Sequence, residues 1–255
     1  MIKKLFYLFV IYCITISSCD KGEFTIPVSV DLNVSILSES QHDYLQFTSG
    51  EIAVKDIIFQ GEREAGEDVY FTSQPSQVYG PVEFTTFSNS AHLTHFDIPQ
   101  GNYELMEWEF NLSFVSLYID EDSDDSDEEE DDEEDDEEEE EESIELGLVF
   151  KGTYTTEENV LIPIIIGIDV IENFRILAEY TDGTHMVNLI ETNTYKATLS
   201  FDLQTVFQSI SRESLEDADI NDKNELVINS EENEDIYELI LYRLEKTSKV
   251  IFEEK

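Results

Sequence analysis

Residues 106–114 read Met106-Glu107-Trp108-Glu109-Phe110-Asn111-Leu112-Ser113-Phe114, and this stretch decides the fold class. Five apolar side chains alternate with four polar ones. A period of two is that of a pleated strand with one face in a core and the other in water. The stretch is entered through Asp97-Ile98-Pro99-Gln100-Gly101-Asn102-Tyr103. There proline presets a turn dihedral and glycine permits a positive one.

Downstream, Asp120 to Glu142 is acidic at every position except Ser123 and Ser126, which gives 21 carboxylates in 23 residues. The formal charge of the chain is −46, so the remainder still carries −25. A segment with nothing apolar to bury and strong self-repulsion is expected to be disordered and extended. Alternation resumes at Ile144, Leu146, Leu148 and Phe150. The simplest arrangement is an antiparallel pair of strands joined by an outsized hairpin loop. Residues 120–142 are then an insertion within one domain, not a linker between two.

Upstream, Phe24, Ile26, Val28, Val30, Leu32, Val34 and Ile36 form another alternating strand. In 51–60 the apolar phase shifts at Asp56, which predicts a bulge, and Gly61 is expected to close the strand. Segments 69–72 and 82–87 are shorter strands separated by Pro75, Gly80 and Pro81. Residues 160–170 are apolar at every even position and predict a central strand, with Pro163 limiting its pairing. Strands over 173–180 and 185–190 are split by the turn Thr181-Asp182-Gly183-Thr184, and 196–201 follows. The period then becomes helical, first at Leu203, Val206, Phe207 and Ile210, then at Ile236, Leu239, Ile240 and Leu244. Acids at the start of the last helix and Arg243, Lys246 and Lys249 near its end suit the helix dipole. Val250–Phe252 reads as a terminal strand. The expected fold is mainly β: an antiparallel β-sandwich of eight or nine strands, two C-terminal helices and a disordered acidic loop.

The chain begins Met1-Ile2-Lys3-Lys4, continues with an apolar stretch from Leu5 to Ile16, and reaches Ile16-Ser17-Ser18-Cys19. Charge, a short apolar core and small residues before a cysteine are the order of an export signal. The segment resembles a bacterial lipoprotein signal with its lipobox. The resemblance implies cleavage after residue 18, lipid on Cys19 and attachment to a membrane through that lipid. Asp20, Lys21 and Glu23 resemble the surface-export signal of Gram-negative lipoproteins, which implies the outer face of the outer membrane. Cys13, the only other cysteine, lies in the signal, so no internal disulfide and no thiol nucleophile is expected in the mature chain.

The strand 24–36, the segment Ser49-Gly50-Glu51-Ile52-Ala53-Val54-Lys55 and the turn 98–103 resemble sandwich domains of uncharacterised surface lipoproteins, of prealbumin-like and carbohydrate-binding-like type. That resemblance covers about the first 120 residues, and none of its features is a catalytic motif. It implies no site residue.

The charge argues against a nucleic-acid partner, because duplexes are bound through phosphate neutralisation by Lys and Arg. The acidic run reads first as a solvated, repulsive segment. Weak calcium condensation and recognition of a basic protein are its functional alternatives. Calcium takes six to eight oxygen ligands, and tight binding needs a folded loop to fix them. One such candidate is the segment 217–225. Asp217, Asp219 and Asn221 occupy the first, third and fifth positions of an EF-hand-type loop, with Asp222 and Glu225 as further oxygens. Asp222 stands where glycine is expected and Ile228 where a bidentate glutamate is expected, so a polar inter-helix loop is the simpler reading.

The four histidines are His42, His92, His95 and His185. His92 and His95 are expected on opposite sides of a strand. Glu107 and Glu109 share one strand face, as glycoside hydrolysis could use, but that chemistry needs two carboxyls across a cleft. No phosphate loop, nucleophile elbow or His-Glu-x-x-His stretch is present. The sequence therefore points to a non-catalytic, lipid-anchored surface binding protein, with calcium or a glycan as ligand and no required cofactor. The alternative is a surface glycan-processing enzyme using paired carboxylates.

Overall fold

The computed structural model describes residues 25–37, 43–74, 77–86, 90–119 and 143–255. The signal segment, Cys19, His42 and the acidic run 120–142 lie outside the described residues, as do the expectations attached to them.

The first eight strands are β1 (Pro27–Ile36), β2 (Leu45–Arg63), β3 (Val69–Thr72), β4 (Tyr79–Thr85), β5 (Ala91–Pro99), β6 (Gly101–Leu112), β7 (Ser116–Ile119) and β8 (Ser143–Thr155). Then come β9 (Leu161–Asp169), β10 (Asn173–Tyr180), β11 (Val187–Leu189), β12 (Tyr195–Phe201), β13 (Leu226–Ile228) and β14 (Lys249–Glu254). The helices are α1 (Leu203–Phe207), α2 (Arg212–Glu216) and α3 (Glu234–Thr247). The protein is mainly β, as the alternation indicates. Among the described residues the C-terminal part has three helices where two were expected. The 203–210 pattern forms only the short α1, and Ser211 caps a separate α2 by accepting from the Ser214 amide.

The strands join in one large sheet ordered β13-β9-β8-β2-β6-β10-β14-β12-β1-β5, with β3 and β4 on β2, β7 on β8 and β11 on β6. The sheet is mixed, which corrects the all-antiparallel expectation. Strands β1 and β12, β10 and β14, and β9 and β13 pair in parallel. Parallel neighbours need long crossover connections. These partners lie far apart in sequence, and a period of two carries no information about a distant partner's direction.

β8 does not pair with β6, because β2 lies between them. Its hairpin partner is the short β7, with Ile119 opposite Ser143. The residues on either side of the acidic run are thus direct neighbours in a ladder. β9 is next to the end of the sheet, and Leu161 is 67% exposed. The predicted irregularity in β2 is present as a register shift between Val54 and Asp56. Gly61 lies inside β2 and does not close it. A Cβ there would stand 2.5 Å from the Tyr103 ring, so the missing side chain makes room for that ring. Phe114, expected on the inner face of its strand, lies beyond the end of β6 and is half exposed.

β10 joins the two parts of the sheet. Its residues 173–177 pair with β6, and its residues 178–180 pair with β14. Aromatic rings from the two parts meet in one buried cluster. Phe201 on β12 lies 5.2 Å from Phe150, 6.1 Å from Phe84 and 6.4 Å from Phe174, centroid to centroid. Phe96 on β5 lies 5.7 Å from Trp108. Such pairs add roughly 0.5–1.5 kcal/mol beyond burial. α3 covers the outside through Tyr237, Ile240 and Leu244, spaced three and four apart on one buried stripe.

Candidate functional site

The inward alternation of β6 and β10 fixes what their other face presents. Met106, Trp108 and Phe110 are buried, so Glu107 and Glu109 point outward. Phe174, Ile176 and Ala178 are buried, so Arg175, Leu177 and Glu179 do the same. In the antiparallel register Arg175 is opposite Glu109, and Leu177 is opposite Glu107. The guanidinium donates from Nη2 to Glu109 Oε2 at 2.9 Å, and its Nε lies 3.8 Å from Glu107 Oε1. α3 ends at Thr247, Ser248 takes an extended conformation, and the chain enters β14 alongside β10. This delivers Lys249 to Glu179, where Nζ donates to both carboxylate oxygens at 2.8 and 2.9 Å. Only 11% of the Glu179 side chain is exposed.

Between these elements lies an open cleft of about 530 Å³, lined by β6, β10, the 181–184 turn and the end of α3. Glu107, Arg175, Leu177 and Glu179 form one wall, and Glu245, Lys246 and Lys249 form the other. Gly183 and His185 lie at the turn. The turn is held by Asp182, which accepts from the Thr184 amide and hydroxyl at 3.0 and 2.8 Å. Those bonds hold the Asp182 carboxyl below its usual range. Gly183 has φ +81°, a conformation that favours glycine. His185 Nδ1 lies 3.4 Å from the Ala178 carbonyl oxygen. The volume falls in the range of small-molecule sites.

The candidate calcium loop is built differently. Asp217 caps the end of α2. Asn221 Oδ1 accepts from the amides of Lys223 and Glu225 at 3.1 and 2.8 Å, and its Nδ2 lies 3.5 Å from Glu225 Oε2. The Asp219 amide donates to Asn233 Oδ1, while Asn233 Nδ2 donates to the carbonyls of Asp219 and Val227. The left-handed residue of the loop is Asn224, with φ +60°, two positions beyond Asp222, where an EF-hand has its glycine. Asp217, Asp219 and Asp222 are exposed and Glu225 is partly buried. Among the described residues no three acids, histidines or cysteines converge in a way that could hold a metal ion.

His92 and His95 correct another expectation. A register shift in β1 at Leu32/Asn33 brings His92 opposite Asn33 and His95 opposite Asp31, two positions of the same face. His95 Nδ1 lies 3.0 Å from Asp31 Oδ1, and Nε2 lies 3.5 Å from Ser29 Oγ. That order of groups is the one hydrolytic triads use. Here Asp97 Oδ1 also stands 3.6 Å from Nε2, and Lys255 Nζ donates to Asp31. The imidazole therefore bridges two carboxylates on an open strand face. Lys255, then His95, hold the Asp31 carboxyl down at about 2.

The sequence singled out Glu107 and Glu109 as a pair on one face, and the structure keeps them so. Their shared partner Arg175 was not visible, nor was Glu179. The available signal was the outward set Arg175, Leu177 and Glu179 within the apolar frame Phe174, Ile176 and Ala178. Lys246 and Lys249 were legible as helix-end cations, but not as cleft residues.

No family model matches the chain, and no curated protein or solved structure matches it.

Proposed function

We propose that the protein is a lipid-anchored cell-surface binding protein, non-catalytic, whose ligand is a glycan held in the β6/β10/α3 cleft. The observation that carries the reading is the cleft's composition. Carboxylates and cations alternate around about 530 Å³ of open space, with Leu177 and Gly183 between them. Sugars present hydroxyls that both donate and accept, together with apolar ring faces. Charged side chains fixed by ion pairs provide the matching acceptors and donors without reorganisation. Leu177, 43% exposed, offers an apolar surface for a ring, and Gly183 borders open space, with no atom within 4 Å of where a side chain would begin.

The lipobox Ile16-Ser17-Ser18-Cys19 supports anchoring through Cys19, and the acids after it support outward display. In this reading residues 19–255 are a single β-rich domain, the two parts of the sheet act as the layers of a sandwich, and 120–142 is a polyacidic insertion. Calcium, if it binds, collects weakly on that acidic run.

Thermal unfolding of the purified protein against saccharides and calcium tests the reading. A ligand that binds only the folded state raises the midpoint by mass action. A saccharide-dependent rise that disappears in Leu177→Asp, which places a charge on the cleft wall, is the expected result. A rise that survives that substitution puts the site elsewhere. Cleavage of the added saccharide in the same samples would favour the enzyme alternative.

A further inference from the structure

We infer that the cleft's ligand is an anionic saccharide, its acidic group held by Lys246, Lys249 and Arg175; this deepens the glycan reading and rests on it.

The first argument is where the cations are. The chain has 14 lysines and arginines against 60 acids. Three of those 14 line this one cleft, with His185 beside them. A site meant for a cation would not be furnished this way in a chain with carboxylates nearly everywhere else. Arg175 lies between Glu107 and Glu109, Lys249 sits on Glu179 and Lys246 stands beside Glu245, so three cations face four carboxylates here, far nearer balance than in the chain as a whole. A negatively charged ligand meets less repulsion in such a place than on the rest of a chain with a formal charge of −46.

The second argument is the balance of donors and acceptors. Arg175 has five N–H groups, of which one makes a hydrogen bond, to Glu109. Lys249 gives two of its three N–H groups to Glu179 and keeps one. Lys246 lies 3.7 Å from Glu245, its neighbour in sequence, and its side chain is 60% exposed. Both Glu179 oxygens already accept from Lys249. Positively charged donors are thus left over, and the complement to them is a group of negatively charged acceptors. Carboxylate and sulfate both meet that description, and fork-shaped Arg175 suits either. The sugar hydroxyls would fall to Glu107 and Glu245.

The test uses three probes built on one sugar: galactose, galacturonate and galactose 6-sulfate. Each is titrated into the purified protein, and binding is followed by the backbone amide NMR signals of residues 175–185 and 245–249. Galacturonate, galactose 6-sulfate or both are expected to shift those signals, with galactose at least tenfold weaker. Which acid binds tells carboxylate from sulfate. In Lys246→Gln the acidic probe should lose roughly tenfold in affinity, the worth of one charge-assisted hydrogen bond. Among the described residues the Lys246 side chain makes no hydrogen bond, only the 3.7 Å ion pair with Glu245, so an unchanged unfolding midpoint will show that this variant is folded. Galactose binding as well as the acids overturns the inference and leaves the glycan reading standing. If none of the three moves those signals, both fall.

Discussion

Two acid-bearing regions of the molecule invite comparison. The 217–225 loop gathers Asp217, Asp219, Asn221, Asp222 and Glu225 within nine consecutive residues. The cleft draws Glu107, Arg175, Glu179, His185, Lys246 and Lys249 from across 143 residues of sequence. The loop looks like a site in the sequence and the cleft does not. In three dimensions the roles reverse. The loop's central side chain, Asn221, accepts from the loop's own amides, and Asn233 ties the loop to β13 and α3. The cleft's charges hold one another in place around open space. Closeness in sequence says little about convergence in space, and a polar loop's first use for its side chains is to satisfy its own backbone.

The contrast can be broken or sharpened by substitution. The largest effect is expected from Lys249→Met, which leaves the nearly buried Glu179 carboxylate without its counter-charge. The cost should be about 2 kcal/mol, below the roughly 3–5 kcal/mol of a fully buried pair because Lys249 is half exposed. Denaturant unfolding measures it, and a neutral result would mean that the cleft is not held by this pair. Next is Asn221→Ala, which removes the acceptor for two backbone amides. A loss of about 1 kcal/mol is expected, with the calcium response unchanged. A changed calcium response would return the loop to the status of a site.

The ion-pair network on β1 and β5 adds a smaller effect with a defined pH dependence. The folded Asp31 carboxyl is depressed to about 2 from 3.8. Its ionised form therefore contributes stability above pH 3.8, and that contribution is lost as pH falls towards 2. Because the group is solvent-accessible, Asp31→Asn should cost about 0.5–1 kcal/mol at neutral pH. The difference from wild type should close below pH 2. A difference that persists there would assign the effect to packing. The smallest change is expected from Asp222→Asn. Asp222 is exposed, and stability should stay within about 0.5 kcal/mol of wild type, with calcium binding unaltered.

Much of the fold was legible. The alternation of 106–112, the turn at 181–184 and the irregular phase at Asp56 all encode local backbone behaviour, and each has its counterpart in the structure, whereas Phe114 falls outside the strand. What the sequence hid was partnership. The parallel pairings of β1 with β12 and of β10 with β14 depend on chain paths between distant segments. Half of the cleft depends on them too, since only the parallel approach of β14 brings Lys249 to Glu179. The bulge that puts His92 and His95 on one face is likewise a property of the β1/β5 pair and not of either strand alone.

The central claim, that the cleft and not the acidic loop is the ligand site, is tested most directly by amide hydrogen exchange with and without galacturonate, and with and without calcium. The account predicts slowed exchange on galacturonate addition at residues 177–185 and 245–249, and no change from either probe at 217–225. Calcium-dependent protection of 217–225, with the cleft unaffected by the sugar acid, would contradict it.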